Sequence, residues 1–348
     1  MRSLQHTLDV IPDVPALEEL LSRPSPAVVA MMRRLPGDIL FLGAGGKMGP
    51  TLARMARRAA DEAGEPRRIL AASRFSDGAA EKALQEHGVE TIRCDLLDPA
   101  QLAQLPDAPN VVHMTGMKFG ATGQEGLTWA MNTWLPGLVC QRFSTSRIAA
   151  FSTGNVYGLT PLVQGGSVEM DSLRPVGEYA ITALGRERIF THFSVAAQTP
   201  VSLLRLNYAC ELRYGVLVDI ARMVYSCQPI PLGMGAFNAI WQGDANAMSL
   251  LALEHAATPP WVINIAGPEQ VGLRAAAERF GVLLGRPVQF EGEAGADALL
   301  SNGQKGHALF GYPVVALDTM MQWIAAWIAR GGESLNKSTH FENRKGDF

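Results

Sequence analysis

The chain has 348 residues, of which 47% are hydrophobic and 18% are charged, a composition that excludes a mainly disordered or fibrous protein. Its formal net charge is −3, and no block of Lys and Arg follows a predicted face. We therefore expect a small-molecule substrate, and we do not expect nucleic acid or an anionic membrane as a partner.

Two further features of the sequence bear on where the protein works. The first thirty residues carry acidic side chains such as Asp9 and Glu18 where a signal peptide needs an apolar run, and the longest apolar stretches are only strand-sized. We expect a cytoplasmic protein. The cysteines lie too far apart in sequence for a metal clip or a redox pair, so we expect free thiols and no structural zinc. They are Cys94, Cys140, Cys210 and Cys227.

Residues 1–36 are predicted to form an N-terminal helical extension. Pro15 and Pro26 each stand where a short helix can begin, because proline is favoured in the first turn. Packing of Val28 and Met31 against the body of the protein is favoured over a partner-binding role.

From Gly37 onward, short apolar runs alternate with segments of helix length. This alternation requires crossover connections and hence a mostly parallel sheet covered on both faces, so the predicted fold class is a doubly wound α/β (Rossmann) domain. The predicted strands are Asp38–Leu42, Arg68–Ala72, Glu90–Arg93, Asn110–Met114, Arg147–Ser152 and Val201–Leu206, and the predicted helices are 47–63, 79–87, 128–145 and 178–197.

After Leu206 the pattern loosens, which predicts a smaller α/β substrate-binding lobe over the carboxyl edge of the sheet, on the C-terminal side. Its predicted elements are a helix over Gly215–Cys227, a helix capped by Asp244, a strand at Val262–Ile265, and helices over Gly272–Leu284 and Ala316–Ala329. We expect a dinucleotide-binding domain over 37–207 to which 238–250 returns, a lobe made of 208–237 and 251–330, and a polar tail over 331–348 with Leu335, Phe341 and Phe348 as its anchors.

A glycine turn follows the first predicted strand. Gly43, Gly46 and Gly49 are spaced G-x-x-G-x-x-G, with Lys47 and Met48 between the last two, and a helix is predicted next. Backbone N–H groups and the helix dipole favour an anion there, which predicts a pyrophosphate site. The alternative is a turn that only allows close helix–strand packing. A phosphate-binding P-loop is excluded because Met48 stands where Ser or Thr is required.

Further motifs follow in a fixed order. They are Cys94-Asp95-Leu96, Val111-Val112-His113-Met114-Thr115-Gly116, Met131-Asn132-Thr133, Phe151-Ser152-Thr153-Gly154-Asn155-Val156-Tyr157-Gly158, Pro175-Val176-Gly177-Glu178-Tyr179, Leu204-Arg205-Leu206-Asn207-Tyr208 and Trp241-Gln242-Gly243-Asp244. With the glycine turn, they resemble the extended short-chain dehydrogenases/reductases, the NAD(P)-dependent epimerase/dehydratase superfamily, from about Gly37 to Arg330.

The resemblance implies a nicotinamide dinucleotide cofactor. Asp95 and Leu96 would lie at the adenine, and Asn132 would brace the active site. Met114, Thr115 and Gly116 would lead to the nicotinamide side. The second strand ends in Ser73 and Arg74 instead of a carboxylate, which favours NADP, with NAD as the alternative.

The resemblance also places the catalytic groups. Thr153 falls at the Ser/Thr position and Tyr179 at the catalytic Tyr. The sequence departs from the family pattern at two places. Ala183 stands where the family motif Y-x-x-x-K has its Lys. Thr153-Gly154-Asn155 lacks the Asp-Glu pair that follows the Thr in 4,6-dehydratases. Lys118 is a candidate substitute cation, although a lone loop Lys is more often solvated.

Residues from several segments are candidates for substrate binding. Arg205, Arg213 and Tyr214 would grip a phosphate or carboxylate, with a structural ion pair as the alternative for Arg205. Asn155, Asn207 and Gln242 are polar enough to line a pocket, and Trp241 is either a pocket residue or core packing. His113 is interpreted as a satisfied core histidine.

Two functions remain open at this point. The first is an NAD(P)-dependent oxidoreductase or epimerase of a sugar, nucleotide-linked or not, with Tyr179 as the acid/base. The alternative, supported by Ala183, is a cofactor-binding protein without turnover that has a structural or sensing role. The resemblance further implies a homodimer through helices 128–145 and 178–197, with Trp129, Trp134, Leu135, Leu138, Ile189 and Phe190 as interface candidates.

Overall fold

A parallel sheet of seven strands forms the centre of the structure, a computed structural model that describes residues 10–76, 78–118 and 123–346. The strand order is β7-β6-β5-β4-β1-β2-β3. The doubly wound α/β fold predicted from the sequence is confirmed. The strands are β1 (Ile39–Leu42), β2 (Ile69–Ser73), β3 (Glu90–Arg93), β4 (Asn110–His113), β5 (Arg147–Thr153), β6 (Val201–Leu206) and β7 (Trp261–Ile265).

Helices cover both faces of this sheet, which is why its central strands are apolar without alternation. β1, for example, is buried along its whole length between β2 and β4. The helices are α1 (Val14–Leu21), α2 (Pro26–Arg34), α3 (Gly49–Ala63), α4 (Gly78–Glu86), α5 (Pro99–Ala103), α6 (Glu125–Trp129), α7 (Leu135–Arg142), α8 (Gly177–Ala197), α9 (Val216–Tyr225), α10 (Gln242–Leu251), α11 (Leu273–Leu284), α12 (Gln304–Phe310) and α13 (Leu317–Ala329).

The order of the strands determines where a ligand can bind. The chain leaves β1 towards β2 and later returns to the other side of β1 as β4, so the connections after β1 and β4 diverge. In such sheets a crevice forms at this point, outside the carboxyl ends of the strands. The glycine turn after β1 and the segment after β4 both lie there.

Two elements differ from the sequence prediction. The strand near Val262–Ile265, which was predicted in the lobe, is β7 of the main sheet, where Ile263 lies opposite Leu204 of β6. The predicted helix over 128–145 contains a π-helical stretch at Ala130–Trp134 between α6 and α7. Both features depend on packing between distant segments, which local periodicity does not reveal.

The helix cap predicted at Asp244 is wrong. The N-cap of α10 is Trp241, whose side chain makes no capping hydrogen bond. Asp244 lies in the first turn, and its Oδ2 accepts a hydrogen bond from the backbone N–H of Val315 at 3.1 Å. The carboxylate thus joins α10 to the segment before α13.

The N-terminal helices pack onto the body, as expected. Val28 and Met31 of α2 are fully buried in the core beside β1 and α3, whereas Leu17 of α1 packs into a second core built from α9, α11 and α13. This second core forms the lobe. Short strand pairs complete the lobe: Ala209–Cys210 with Ile240–Trp241, Ala236–Phe237 with Val271–Gly272, Ile230–Pro231 with Phe290–Glu291, and Thr160–Pro161 with Asp297–Ala298.

The polar tail after α13 runs back across the lobe. The backbone N–H and the hydroxyl of Thr339 donate to Asp219 Oδ2 of α9 at 2.7 and 2.6 Å. Phe341 is buried, and the N–H of Leu335 donates to the carbonyl of Arg213. The third predicted anchor, Phe348, lies outside the described residues.

The helices proposed for a dimer interface divide their apolar residues between two surfaces. Leu135 and Phe190 are fully buried against their own sheet, so they are not interface residues of this chain. Trp129 and Trp134 remain 43% and 50% exposed. Among the described helices, none has the length and apolarity needed to span a membrane.

Candidate functional site

Two adjoining cavities lie at the carboxyl edge of the sheet, and Met114 and Gly116 line both of them. The first, about 350 Å³, lies along the glycine turn and is called the glycine-turn cavity. The second, about 240 Å³, contains Tyr179 and is called the tyrosine cavity.

The glycine turn has the geometry of an anion site. Gly43 adopts a φ of +88°, which side chains rarely allow, and a Cβ at Gly49 would collide with the backbone of Ala44. Helix α3 begins at Gly49 with Met48 as its N-cap, and no side chain caps the N–H groups of its first turn. Together with the helix dipole, these groups favour a phosphate.

The opposite wall of the glycine-turn cavity carries the residues predicted for an adenosine. Ser73 ends β2 and the exposed Arg74 follows it, and Asp95 and Leu96 follow β3. The Asp95 carboxylate accepts a hydrogen bond from the N–H of Leu97 at 3.1 Å, which shapes this turn.

One buried polar atom in this cavity supports the fit of a dinucleotide. The hydroxyl of Thr115 is buried without a hydrogen-bond partner among the described residues and lies directly beside Gly43. A buried hydroxyl without a partner is costly, and a ligand phosphate or ribose in this cavity would supply one. The residues present therefore fit a dinucleotide.

The tyrosine cavity brings Thr153 and Tyr179 together, as the sequence predicts. Thr153 ends β5, and Tyr179 lies in the first turn of α8. Burial raises the pKa of Tyr179 above its usual value, and a hydrogen bond with Thr153 and the charge of Arg186 oppose that rise. Tyr179 is therefore a neutral phenol at physiological pH, available as an acid.

Arg186 is a residue that the sequence reasoning missed. It follows Tyr179 by seven residues, two turns along the same face of α8, and lines the same cavity. Its guanidinium donates to the carbonyl of Phe151 at 2.8 Å and to Asn132 Oδ1 at 2.5 Å. The seven-residue spacing from Tyr179 could have predicted that Arg186 lies on the same face of α8. The Y-x-x-x-K motif, however, points to position 183.

Ala183 itself is fully buried and packs against Val156 and Tyr157. Where the family motif places a Lys, this chain therefore has an apolar contact. The cation near Tyr179 comes from Arg186 on the same helix, and Lys118 lies on the other side with its Nζ 5.7 Å from the centroid of the Tyr179 ring.

Asn132 holds this arrangement together. Its side-chain amide donates to the carbonyl of Met117 and to Thr182 Oγ1, both at 2.9 Å, and its Oδ1 also accepts from the N–H of Met117. The bracing role implied by the family resemblance matches this geometry. Asn132 lies in the π-helical stretch, which turns its side chain towards α8.

Several predicted substrate residues do line the tyrosine cavity, namely Asn155, Asn207, Tyr214 and Gln242. The hydroxyl of Thr153 donates a hydrogen bond to Asn155 Oδ1 at 3.2 Å, and the side-chain amide of Gln242 donates one to Thr51 Oγ1 at 3.1 Å. The cavity also contains Lys47 of the glycine turn and Thr339 of the tail, neither of which was predicted to lie near the catalytic residues.

Three predicted substrate residues lie elsewhere, and these assignments are corrected. Arg205 forms a buried bidentate ion pair with Glu187, at 3.0 and 2.8 Å. Arg213 pairs with Glu211 and Glu18. Trp241 packs in the lobe core; none of the three lines either cavity.

His113 is buried in β4, as expected, but it is not satisfied. Neither ring nitrogen has a hydrogen-bond partner among the described residues, and the ring packs edge-on against Phe190. Burial lowers its pKa to about 3, with a smaller contribution from the charge of Arg186. His113 is therefore a neutral core residue.

No family model matches the chain, and no curated protein matches it either. Solved structures do match. An NAD-bound dTDP-glucose 4,6-dehydratase from Bacillus anthracis has a TM-score of 0.70 at 15% identity, over 85% of this chain and 97% of that one. A UDP-glucuronic acid 4-epimerase from Bacillus cereus, with a fluorinated substrate analogue and NAD, has a TM-score of 0.69 at 18% identity, over 84% and 99%.

An NAD-bound UDP-glucose 4-epimerase from Thermus thermophilus is similar at a TM-score of 0.67 and 17% identity, over 84% of this chain and 99% of that chain. These similarities confirm the predicted fold.

We predict that the Arg205–Glu187 pair anchors the catalytic helix. Glu187→Gln leaves the Arg205 guanidinium buried without a counter-charge and should lower the free energy of unfolding by about 3–5 kcal/mol in denaturant titrations. Glu254→Gln, which breaks the exposed pair with Arg34, is the control and should change stability little. Equal effects of the two variants would contradict the anchoring role.

Proposed function

We propose that this chain, which has the fold of the NAD-dependent sugar-nucleotide epimerases and dehydratases it resembles, is an NAD(P)-dependent oxidoreductase or epimerase of a sugar. The observation that carries the proposal is one cavity, next to a fitting dinucleotide site, whose lining brings Tyr179, Thr153 and Arg186 together.

A bound nicotinamide would accept a hydride from the substrate carbon or return it. Tyr179 takes the hydroxyl proton in oxidation and gives it back in reduction, and Thr153 hydrogen-bonds the same oxygen. The substrate carbon thereby alternates between alcohol and ketone. Epimerisation requires the transient ketone to be reduced on its opposite face, whereas net oxidation releases it.

Because position 183 carries no Lys, another group must stabilise the phenolate of Tyr179. An unaided phenol with a pKa near 10 is about three pH units from neutrality, which corresponds to roughly 4 kcal/mol for forming the phenolate. Arg186 supplies a fixed positive charge on the same helix, and its interaction with Tyr179 favours the phenolate. This is the main argument for turnover over a purely structural or sensing role.

We propose NADP as the preferred cofactor. β2 ends in Ser73 and Arg74 follows directly, so neither of these two positions carries the carboxylate with which an NAD enzyme usually binds the adenine ribose. Arg74 is exposed and lines the glycine-turn cavity with Ser73. A guanidinium in this place pairs with a 2′-phosphate. The similar structures contain NAD, so NAD is the alternative outcome.

We also propose a homodimer. α6, the π-helical stretch and α8 pack against one another, and each carries exposed apolar side chains, which we call the apolar patch. Its members are Leu127, Trp129, Trp134 and Ile181, each at least 40% exposed. Exposed apolar patches of this kind mark protein interfaces.

The acid/base assignment predicts the effect of removing one hydroxyl. Tyr179→Phe should abolish turnover on any sugar that the wild-type protein oxidises, while calorimetry should show unchanged cofactor affinity. The measurement is the absorbance of reduced nicotinamide over a panel of sugars. Wild-type activity of the variant would refute the assignment. Tight cofactor binding with no active sugar would favour the sensing role.

The same assignment fixes the sign of the pH dependence. Because the pKa of Tyr179 is raised, oxidation should accelerate with rising pH across the alkaline range, whereas reduction uses the neutral phenol and should stay level there. Arg186→Met removes a positive charge and should move the rise in oxidation to still higher pH. Arg186→Lys keeps the charge and should keep the profile.

For the cofactor, calorimetric titration should show NADP binding more tightly than NAD. Arg74→Ala should reduce that preference by about tenfold, the effect of losing one charge-assisted hydrogen bond. Arg279→Ala, on the exposed surface of α11, is the control. Tighter binding of NAD than NADP by the wild-type protein would overturn the NADP assignment.

For the assembly, light scattering at micromolar concentration should give the mass of a dimer, and Trp134→Glu should give a monomer because it places a charge in the apolar patch. Val282→Glu changes a still more exposed apolar residue, on α11, at 75% against 50% for Trp134, and should leave the dimer intact. A monomeric wild-type protein would refute the homodimer.

A further inference from the structure

We propose that the tyrosine cavity recognises a compact polyol that carries an acidic group, a carboxylate or a phosphate, and that Lys47 and Lys118 bind this group. The inference rests on the proposed function, because it names the substrate class of the same site. Arg205 and Arg213, which the sequence predicts to bind an acidic group, form ion pairs outside the cavity, and Lys47 and Lys118 line the cavity instead.

The two lysines reach the cavity from different segments of the chain. Lys47 comes from the glycine turn and lies over the ring of Tyr214, and Lys118 follows β4 and lies beside the ring of Tyr179. Both are half-buried and line the same cavity as Tyr179. An acidic group between them would therefore lie close to the hydroxyl that exchanges its proton with Tyr179.

The charge balance of the cavity favours an anion. Among the described residues, its lining contains Lys47, Lys118 and Arg186 but no Asp or Glu. The carboxylates whose charges act on the two lysines belong to Glu211 and Asp219, and both already accept hydrogen bonds from other groups. Glu211 accepts hydrogen bonds from the backbone and the guanidinium of Arg213, and Asp219 accepts two from Thr339.

The protonation of the lysines is consistent with a site that needs an anion. Burial, followed by repulsion from Lys118 and Lys337, lowers the pKa of Lys47 to about 6, against the opposing influence of Glu211 and Cys210. Burial lowers the pKa of Lys118 to about 8, and Asp219 opposes this. A bound anion favours the charged ammonium and raises both pKa values, so binding should take up protons near neutral pH.

The size of the cavity limits the rest of the ligand. A volume of about 240 Å³ lies below the roughly 300–1,000 Å³ of pockets that hold drug-sized ligands. Thr339 of the tail closes part of the wall. These limits favour a free sugar acid or a sugar phosphate over a nucleotide-linked sugar.

The test is calorimetric titration of the cofactor-saturated protein with D-glucuronate, D-glucose 6-phosphate and D-glucose. We expect at least one of the two anions to bind about tenfold or more tightly than glucose, as one charge-assisted hydrogen bond allows. The better of the two identifies the acidic group as carboxylate or phosphate. Repeating the titration in buffers of different ionisation enthalpy should show proton uptake.

Two substitutions assign the effect to the lysines. Lys47→Met and Lys118→Met should each weaken binding of the preferred anion by about tenfold and leave glucose binding unchanged. Lys82→Met, at an exposed position of α4, is the matched control and should change neither. Anion binding that survives both cavity substitutions would overturn the inference.

Other outcomes separate this inference from the proposed function. If glucose binds as tightly as both anions, or if none of the three binds, the acidic substrate class is wrong although cofactor binding stands. If Lys47→Met weakens cofactor binding and leaves anion binding unchanged, that lysine serves the cofactor and the inference is overturned. If neither NAD nor NADP binds the wild-type protein, the proposed function itself fails.

Discussion

The buried ion pair between Arg205 of β6 and Glu187 of α8 fixes α8, the helix that carries Tyr179, against the sheet. Glu187 also accepts a hydrogen bond from Ser152, the neighbour of Thr153 on β5, at 2.6 Å. One carboxylate thus connects the helix that carries Tyr179 to the strand that carries Thr153. Since buried charges are costly without partners, any shift of α8 along the sheet would break several of these bonds together.

The parallel sheet places the ends of its strands at one edge, and the chain uses that edge for two separate chemical tasks. On one side of Met114, the glycine turn and the start of α3, whose N-cap Met48 makes no side-chain hydrogen bond, have the geometry of an anion site. On the other side, the phenol of Tyr179, two lysines and Arg186 line a smaller space. The replacement of the motif Lys by Ala183 did not remove positive charge from that space, because Arg186 reaches it from the next turn of α8.

Much of this site could be predicted because its residues belong to motifs that are local in sequence: the glycine turn, Thr153 and Tyr179 lie in the cavities as expected. What could not be predicted depends on partners far away in the chain. Arg205 looked like a ligand for an acidic substrate because nothing local in the sequence shows that Glu187 neutralises it. Likewise β7 was identified as a strand, but its place beside β6 is a contact between segments more than fifty residues apart.

The contact of Thr339 with Asp219 makes a late segment of the chain part of the cavity wall. During synthesis, the glycine turn emerges about three hundred residues before Thr339, so a nascent chain could form the glycine-turn cavity while the tyrosine cavity still lacks this part of its wall. Loss of the tail would leave the sheet strands in the chain and remove this late contact.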